Sequence, residues 1–161
     1  MGAKLGKLCI TSCVEKKANR LTINIIKVED LPRGGITGAP DVCVRVRLTQ
    51  NNVTQTKQSR VIKGTCNATF KEAIMFLVKT KSADLEDTSI TISVHDLLRT
   101  IAGDDLIGSA YLGKLAIDKS EHEQWRSTVE HIGKEFKGTH HLKARVKAPN
   151  VHVTEATTDS E

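Results

Sequence analysis

From Val42 to Leu48 the chain reads VCVRVRL, with apolar and non-apolar positions exchanging at every step. Only an extended strand puts Val42, Val44 and Val46 on one face and Cys43, Arg45 and Arg47 on the other. The same period of two runs through Leu21, Ile23 and Ile25, with Thr22 and Asn24 between them, and through SITISV at Ser89 to Val94. Such runs are short and are separated by turn residues: the Gly- and Pro-rich LPRGGITGAPD, the Gln50-Asn51-Asn52 turn, and a second long loop at HDLLRTIAGDD. Strands are expected over Leu5–Val14, Arg20–Leu31, Val42–Leu48, Thr54–Ile62, Thr69–Val78, Ser89–Val94, Leu106–Leu115 and His140–Val146. Lys79 to Asp87 reads as a polar connection. One stretch changes period: SEHEQWRSTVEHI places Trp125, Val129 and Ile132 at i, i+4 and i+7, so a helix is expected from near Asp118, capped by Asp118 or Ser120. The pattern predicts an all-β protein, an eight-stranded antiparallel Greek-key β-sandwich with one short helix between the last two strands. No βαβ alternation is present, which argues against a parallel sheet with a nucleotide crevice.

A chain of 161 residues supports one well-buried domain. Apolar residues are 39% and aromatics 3%, so its core is aliphatic. The net charge is +5; the three acids beyond Lys147 carry −3, leaving +8 on residues 1–147. We therefore divide the chain into a folded basic body, 1–147, and a disordered acidic tail, 148–161. A basic body suits an anionic partner such as a phospholipid surface. Cys9, Cys13, Cys43 and Cys66 form no CxxC pair; they read as small buried apolar residues in a reducing compartment. No apolar run reaches the length of a membrane span and no signal segment opens the chain, so a soluble, cytoplasmic module is expected, or the cytosolic end of a longer membrane-anchored protein.

An enzyme is not expected. None of the six histidines sits at i, i+4 with a Glu base or beside a candidate nucleophile, there is no GxSxG, and RGGITGAP lies between strands rather than before a helix. Nucleic acid is not expected as a partner either, because aromatics that could stack on bases are almost absent.

The order and sequences of the runs resemble a C2 domain, and most closely the second C2 domain of synaptotagmins and their relatives. The stretches that carry the resemblance are LGKLCITSCVEKKANRLTINIIKVEDLP, PDVCVRVRLTQ, KGTCNATFKEAIMFLV, SITISVHDLL with GDDLIGSAYLG, and HEQWRSTVEHI. In that family two loops at one end of the sandwich bind calcium through about five aspartates, because the ion needs six to eight oxygens. Asp41, Asp96 and either Asp104 or Asp105 match that set. No acid stands near Gly34 to Ile36, Leu98 occupies another family Asp position, and Arg99 adds a positive charge. The resemblance thus implies an incomplete pocket, and calcium is not expected as a cofactor; loop-capping aspartates or a weak residual site are the two readings of the surviving acids. The family's lysine-rich fourth strand is also thinned. Lys57, Arg60 and Lys63, with Arg45 and Arg47 alongside, are the expected lipid- or partner-binding residues. Gly133-Lys134 stands where the family often has two arginines. The implied function is a non-catalytic, calcium-independent module that binds anionic phospholipid or trafficking proteins, SNAREs among them by resemblance. The alternatives are a protein–protein adapter or oligomerisation domain without lipid, and weak calcium-dependent phospholipid binding.

Overall fold

A computed structural model describes residues 4–34, 38–102 and 105–145, with side chains omitted at 100–102. The strands are β1 (Lys7–Glu15), β2 (Arg20–Glu29), β3 (Val42–Gln50), β4 (Val53–Gln58), β5 (Ala68–Leu77), β6 (Thr88–Asp96), β7 (Leu106–Gly113) and β8 (Phe136–His141). They form two four-stranded antiparallel sheets, in the order β5-β2-β1-β8 and β4-β3-β6-β7. The chain crosses between the sheets after β2, β4, β5 and β7, which makes the expected sandwich. The core is aliphatic, as the composition requires: Leu8, Ile10, Leu21, Ile23, Val44 and Ile92 are among its fully buried members, with Phe70 and Phe76 as the large exceptions.

Among the described residues, two α-helices and one 3-10 helix, Leu97–Ala102, interrupt the strands. A five-residue helix, α1 (Ser82–Glu86), occupies the segment expected to be only a polar connection. It forms because Leu85 finds the core, a tertiary contact that leaves no period in so short a stretch. The expected later helix is α2 (Lys119–Glu130), and Asp118 caps it: its Oδ1 accepts from Glu121 N at 3.0 Å while Glu121 Oε1 accepts from Asp118 N at 3.1 Å. This reciprocal pair satisfies two orphan donors at the helix start. Trp125 and Val129 pack inward, but Ile132 lies past the helix and is exposed. α2 touches β8, β7 and β1 and so covers the side of the sandwich where the sheet edges β7 and β8 part.

Most strand ends shift by one or two residues from expectation, and β4 and β8 shift further, β8 ending at His141 rather than at the expected Val146. β4 ends at Gln58: Ser59 N still donates to the Val44 carbonyl at 2.8 Å, but Val44 N turns to Ser59 Oγ at 2.9 Å, so a side chain takes the place of the return ladder bond; a β-bridge recurs at Ile62–Val42. β8 starts four residues before the expected His140. Its inward positions are Phe136, Gly138 and His140, a sequence with no apolar alternation to read. They face α2 rather than a hydrophobic layer. At Gly138 a Cβ would lie 2.2 Å from Gln124 Oε1, so a larger residue would displace the buried Gln124 side chain that α2 places there. Of the four free cysteines, Cys9 and Cys43 are buried; Cys13 and Cys66 are half-buried, not fully enclosed as expected. The expected disordered tail, 148–161, lies outside the described residues.

Candidate functional site

Three loops meet around Asp41. Its N–H donates to Asp96 Oδ1 at 3.1 Å, its Oδ1 accepts from Gly64 N at 2.9 Å, and its carbonyl accepts from Leu97 N at 2.9 Å. Asp96 Oδ1 also accepts from Leu98 N at 3.0 Å, and the residue is buried. Each carboxylate thus ties backbone from a neighbouring loop, the arrangement by which aspartate stabilises turns. Asp105 turns elsewhere: its Oδ1 lies 2.9 Å from His95 Nδ1, toward the outer face of the β4-β3-β6-β7 sheet. Asp104 lies outside the described residues. Among the described residues, no group of three or more His, Cys, Asp or Glu side chains is gathered as a metal would need. Two converging carboxylates fall short of the oxygen shell of a calcium ion. Beside them, Leu98 and Arg99 are exposed, an aliphatic and a cationic side chain where the ion's ligands are expected.

The five expected basic residues separate into three settings. Arg45 and Arg47 project from the outer face of β3 as the alternation requires. In the ladder they lie beside Ser93 and Thr91 of β6, and beyond these Ser109 and Tyr111 of β7. Strands β3, β4, β6 and β7 contain a single carboxylate, Asp96, so Arg47 is exposed on a face of hydroxyl and amide groups. Lys57 and Arg60 turn toward the seam between the sheets. Lys57 Nζ donates to the carbonyl of Met75 and sits 5.5 Å from the Phe76 ring centre. Arg60 donates to the Phe70 carbonyl at 2.6 Å and pairs with Glu72 at 3.1 Å. With Gln55, which donates to the Leu77 carbonyl at 2.8 Å, they clasp edge strand β5. Lys63 is exposed in the β4–β5 loop, next to the Gly64 that Asp41 holds.

A cluster not anticipated from the sequence lies between these regions. Ser93 Oγ is 2.8 Å from His95 Nε2, and His95 Nδ1 is 2.9 Å from Asp105. The serine–histidine–aspartate linkage has the connectivity of a nucleophile, base and orienting acid. The amides of the adjoining edge strand are already engaged, however: Ser109 N with the Lys143 carbonyl and Tyr111 N with Glu121 Oε2. The remaining strand amides nearby lie in the ladder, so no pair of free N–H groups faces Ser93 as an oxyanion site requires. The cluster anchors the β6–β7 loop to the sheet. Ser93 and His95 stand two apart in an alternating strand, a signal for a shared face; Asp105 reaches them only through the loop.

A model of the C2 domain family matches residues 19–128, and the chain belongs to the C2 domain family. It is 31% identical over 139 residues to synaptotagmin-9 of Rattus norvegicus, covering 86% of this chain and 28% of the relative. It is 29% identical over 141 residues to synaptotagmin-3 of Mus musculus, covering 87% of this chain and 24% of the relative. The chain therefore spans about a quarter of the length of the curated relatives it matches. Among solved structures, a C2 domain of RIM from Drosophila superposes with a TM-score of 0.65 at 12% identity, covering 88% of this chain and all of that one. The first C2 domain of human synaptotagmin XIII gives 0.63 at 15% identity, covering 89% and 90%. These likenesses carry the fold. The family and its synaptotagmin relatives point to a non-enzymatic module. Among the described residues no helix is long and apolar enough to cross a membrane.

Proposed function

We propose that this C2 domain docks on anionic phospholipid surfaces without calcium, at the cytoplasmic face of membranes and in the position of a second C2 domain of a synaptotagmin-like protein. The observation that carries this reading is the state of the Asp41 loops. Their surviving carboxylates cap backbone, while Leu98 and Arg99 are exposed beside them. In a calcium-dependent domain, acids at the tip repel an anionic membrane until the ion neutralises them. Here the described residues of the tip present an aliphatic and a cationic side chain without an ion, which lowers that electrostatic barrier from the start. Arg45 and Arg47 on the outer face and Lys63 in the neighbouring loop extend the positive surface, each basic residue near an anionic membrane contributing about 1 kcal/mol. Lys57 and Arg60 hold the sandwich seam and act on lipid only through their net charge.

Cosedimentation with phosphatidylcholine vesicles, with and without phosphatidylserine, tests the reading. Binding is expected only with phosphatidylserine, unchanged between calcium and a chelator, and falling steeply from low to physiological salt. Arg45→Glu/Arg47→Glu should reduce it about tenfold or more. Calcium titration that shows micromolar binding, or vesicle binding that requires calcium, would overturn it. On the protein side the expected partners are trafficking proteins, SNAREs among them by likeness to synaptotagmins. Self-association through strand β5 is disfavoured, because the Phe70, Met75 and Leu77 carbonyls on its free edge already accept from Arg60, Lys57 and Gln55.

A further inference from the structure

At the end of the sandwich opposite Asp41, the edges of the two sheets leave a groove of about 1030 Å³. Val53, the first residue of β4, and Leu77, the last of β5, line it. They are 63% and 74% exposed, the two most exposed large apolar side chains among the described residues. Single exposed aliphatics need no explanation, but two that share one cleft do. The turn before Val53 is set by Asn51 and Asn52, both with positive φ (50° and 65°).

The walls of the groove are fixed. Buried Gln50 donates to the carbonyls of Lys79 at 2.9 Å and Asp84 at 3.2 Å, and accepts from Lys79 N at 2.8 Å, which holds the β5–α1 segment in place. Gln55 joins the two sheet edges through the Leu77 carbonyl. The charge is one-sided. Lys16, Lys79 and Lys81 line the groove, are exposed, and enter no ion pair among the described residues. The single acid of the lining, Asp84, accepts from Asn51 Nδ2 at 2.8 Å.

We propose that this groove docks an extended acidic segment of a partner protein, with an aliphatic or aromatic side chain seated between Val53 and Leu77 and flanking carboxylates on Lys16, Lys79 and Lys81. The shape favours a peptide: a single extended strand can lie along the groove between the two sheet edges and reach Val53 and Leu77 together. The charge complementarity selects acidic sequence and gives the encounter its salt dependence. The site is distinct from the face proposed to meet lipid, so the domain can hold a membrane and a protein at opposite ends.

Fluorescence anisotropy with a labelled peptide, acetyl-Gly-Glu-Asp-Leu-Phe-Glu-Asp-Gly, tests the groove directly. Saturable binding is expected at low salt, and none with the analogue in which lysines replace the acids. Lys79→Glu/Lys81→Glu and, separately, Leu77→Asp should each weaken binding about tenfold or more. Leu77→Ser provides a milder second variant, and circular dichroism checks that each variant is folded. Lys137→Glu, an exposed charge change on β8, should leave binding intact. Absence of saturable binding by the wild-type domain would overturn the proposal, as would groove variants that bind the peptide like wild type. Loss of phosphatidylserine vesicle binding in those variants, with peptide binding unchanged, would identify the groove as a lipid site and equally overturn it.

Discussion

Glu121 is fully buried yet fully partnered. It accepts from Tyr111 N at 2.8 Å, Ile117 N at 2.7 Å and Asp118 N at 3.1 Å, and pairs with Lys143 Nζ at 2.8 Å. One carboxylate therefore fixes the end of β7, the link to α2, the helix cap and the strap that follows β8. Removing one member of such a buried set costs more than the set contributes net, because the others keep their desolvation cost without the partner. Glu121→Ala should destabilise the domain by about 3–5 kcal/mol, read as a lower urea midpoint at unchanged slope. The Glu121 role is invisible in sequence beyond its capping-box position three residues after Asp118. The same contrast holds at Asp41 and Asp96. The resemblance matches these two to family acids, and only the fold shows that their oxygens are bonded to Gly64, Asp41 and Leu98 amides.

At the scale of elements, β4 has a single apolar residue, Val53, and exposes most of its residues. Its Gln55 and Lys57, with Arg60 just beyond, join it to β5 across the seam. This role is structural, and it divides the basic residues into two groups. Lys57→Ala/Arg60→Ala should lower stability by about 1–2 kcal/mol through lost bonds to backbone carbonyls, and should weaken phosphatidylserine vesicle binding less than Arg45→Glu/Arg47→Glu does. Equal loss of lipid binding by the two pairs, in denaturation and cosedimentation run side by side, would contradict the division. The alternation of VCVRVRL was enough to put Arg45 and Arg47 on one face. It could not show that Lys57, opposite Val46 in the ladder, points to the seam, because that depends on the register of β4 against β3.

For the whole molecule, the polar layer beneath α2 sets how stability responds to pH. His140 is buried between Gln124, which accepts from its Nε2, and Ser120 Oγ at 2.7 Å from its Nδ1. Burial lowers the His140 pKa from its ordinary 6.5, against the pull of Glu121 and Asp118. Below pH 6.5 the unfolded chain then takes up a proton that the folded one refuses. This contribution to stability is complete above pH 6.5 and is lost as the pH falls. Burial alone would raise the Asp118 carboxyl, but bonds from Lys143, Ser120 and the Glu121 amide hold it well below its ordinary 3.8, so a second loss begins in stronger acid. Burial disfavours the Lys143 ammonium, yet Asp118 and Glu121 overcome this and raise it above 10.5, so its contribution disappears only in strong base. The melting temperature should therefore fall from pH 7 to pH 5, the His140 part not exceeding about 1.4 kcal/mol per pH unit for one proton. His140→Gln, which keeps an amide donor for Gln124, should flatten that limb; an unchanged slope in the variant would remove His140 as its cause.

The sequence by itself determined the β-sandwich, the position of the late helix, the aliphatic core and the family likeness. The first three rest on period, turn chemistry and composition, and the likeness on the resemblance of successive stretches and their order; all are read along the chain. By resemblance the sequence also implied that the acids of the family's calcium loops are only partly present. The tertiary structure alone decided where Asp105 points, that β8 begins at Phe136 beneath α2, that Lys57 and Arg60 clasp a seam, and that Val53 and Leu77 share a cleft ringed by lysines. Each of these joins residues far apart in the chain through a register or a loop path, and no local pattern encodes either.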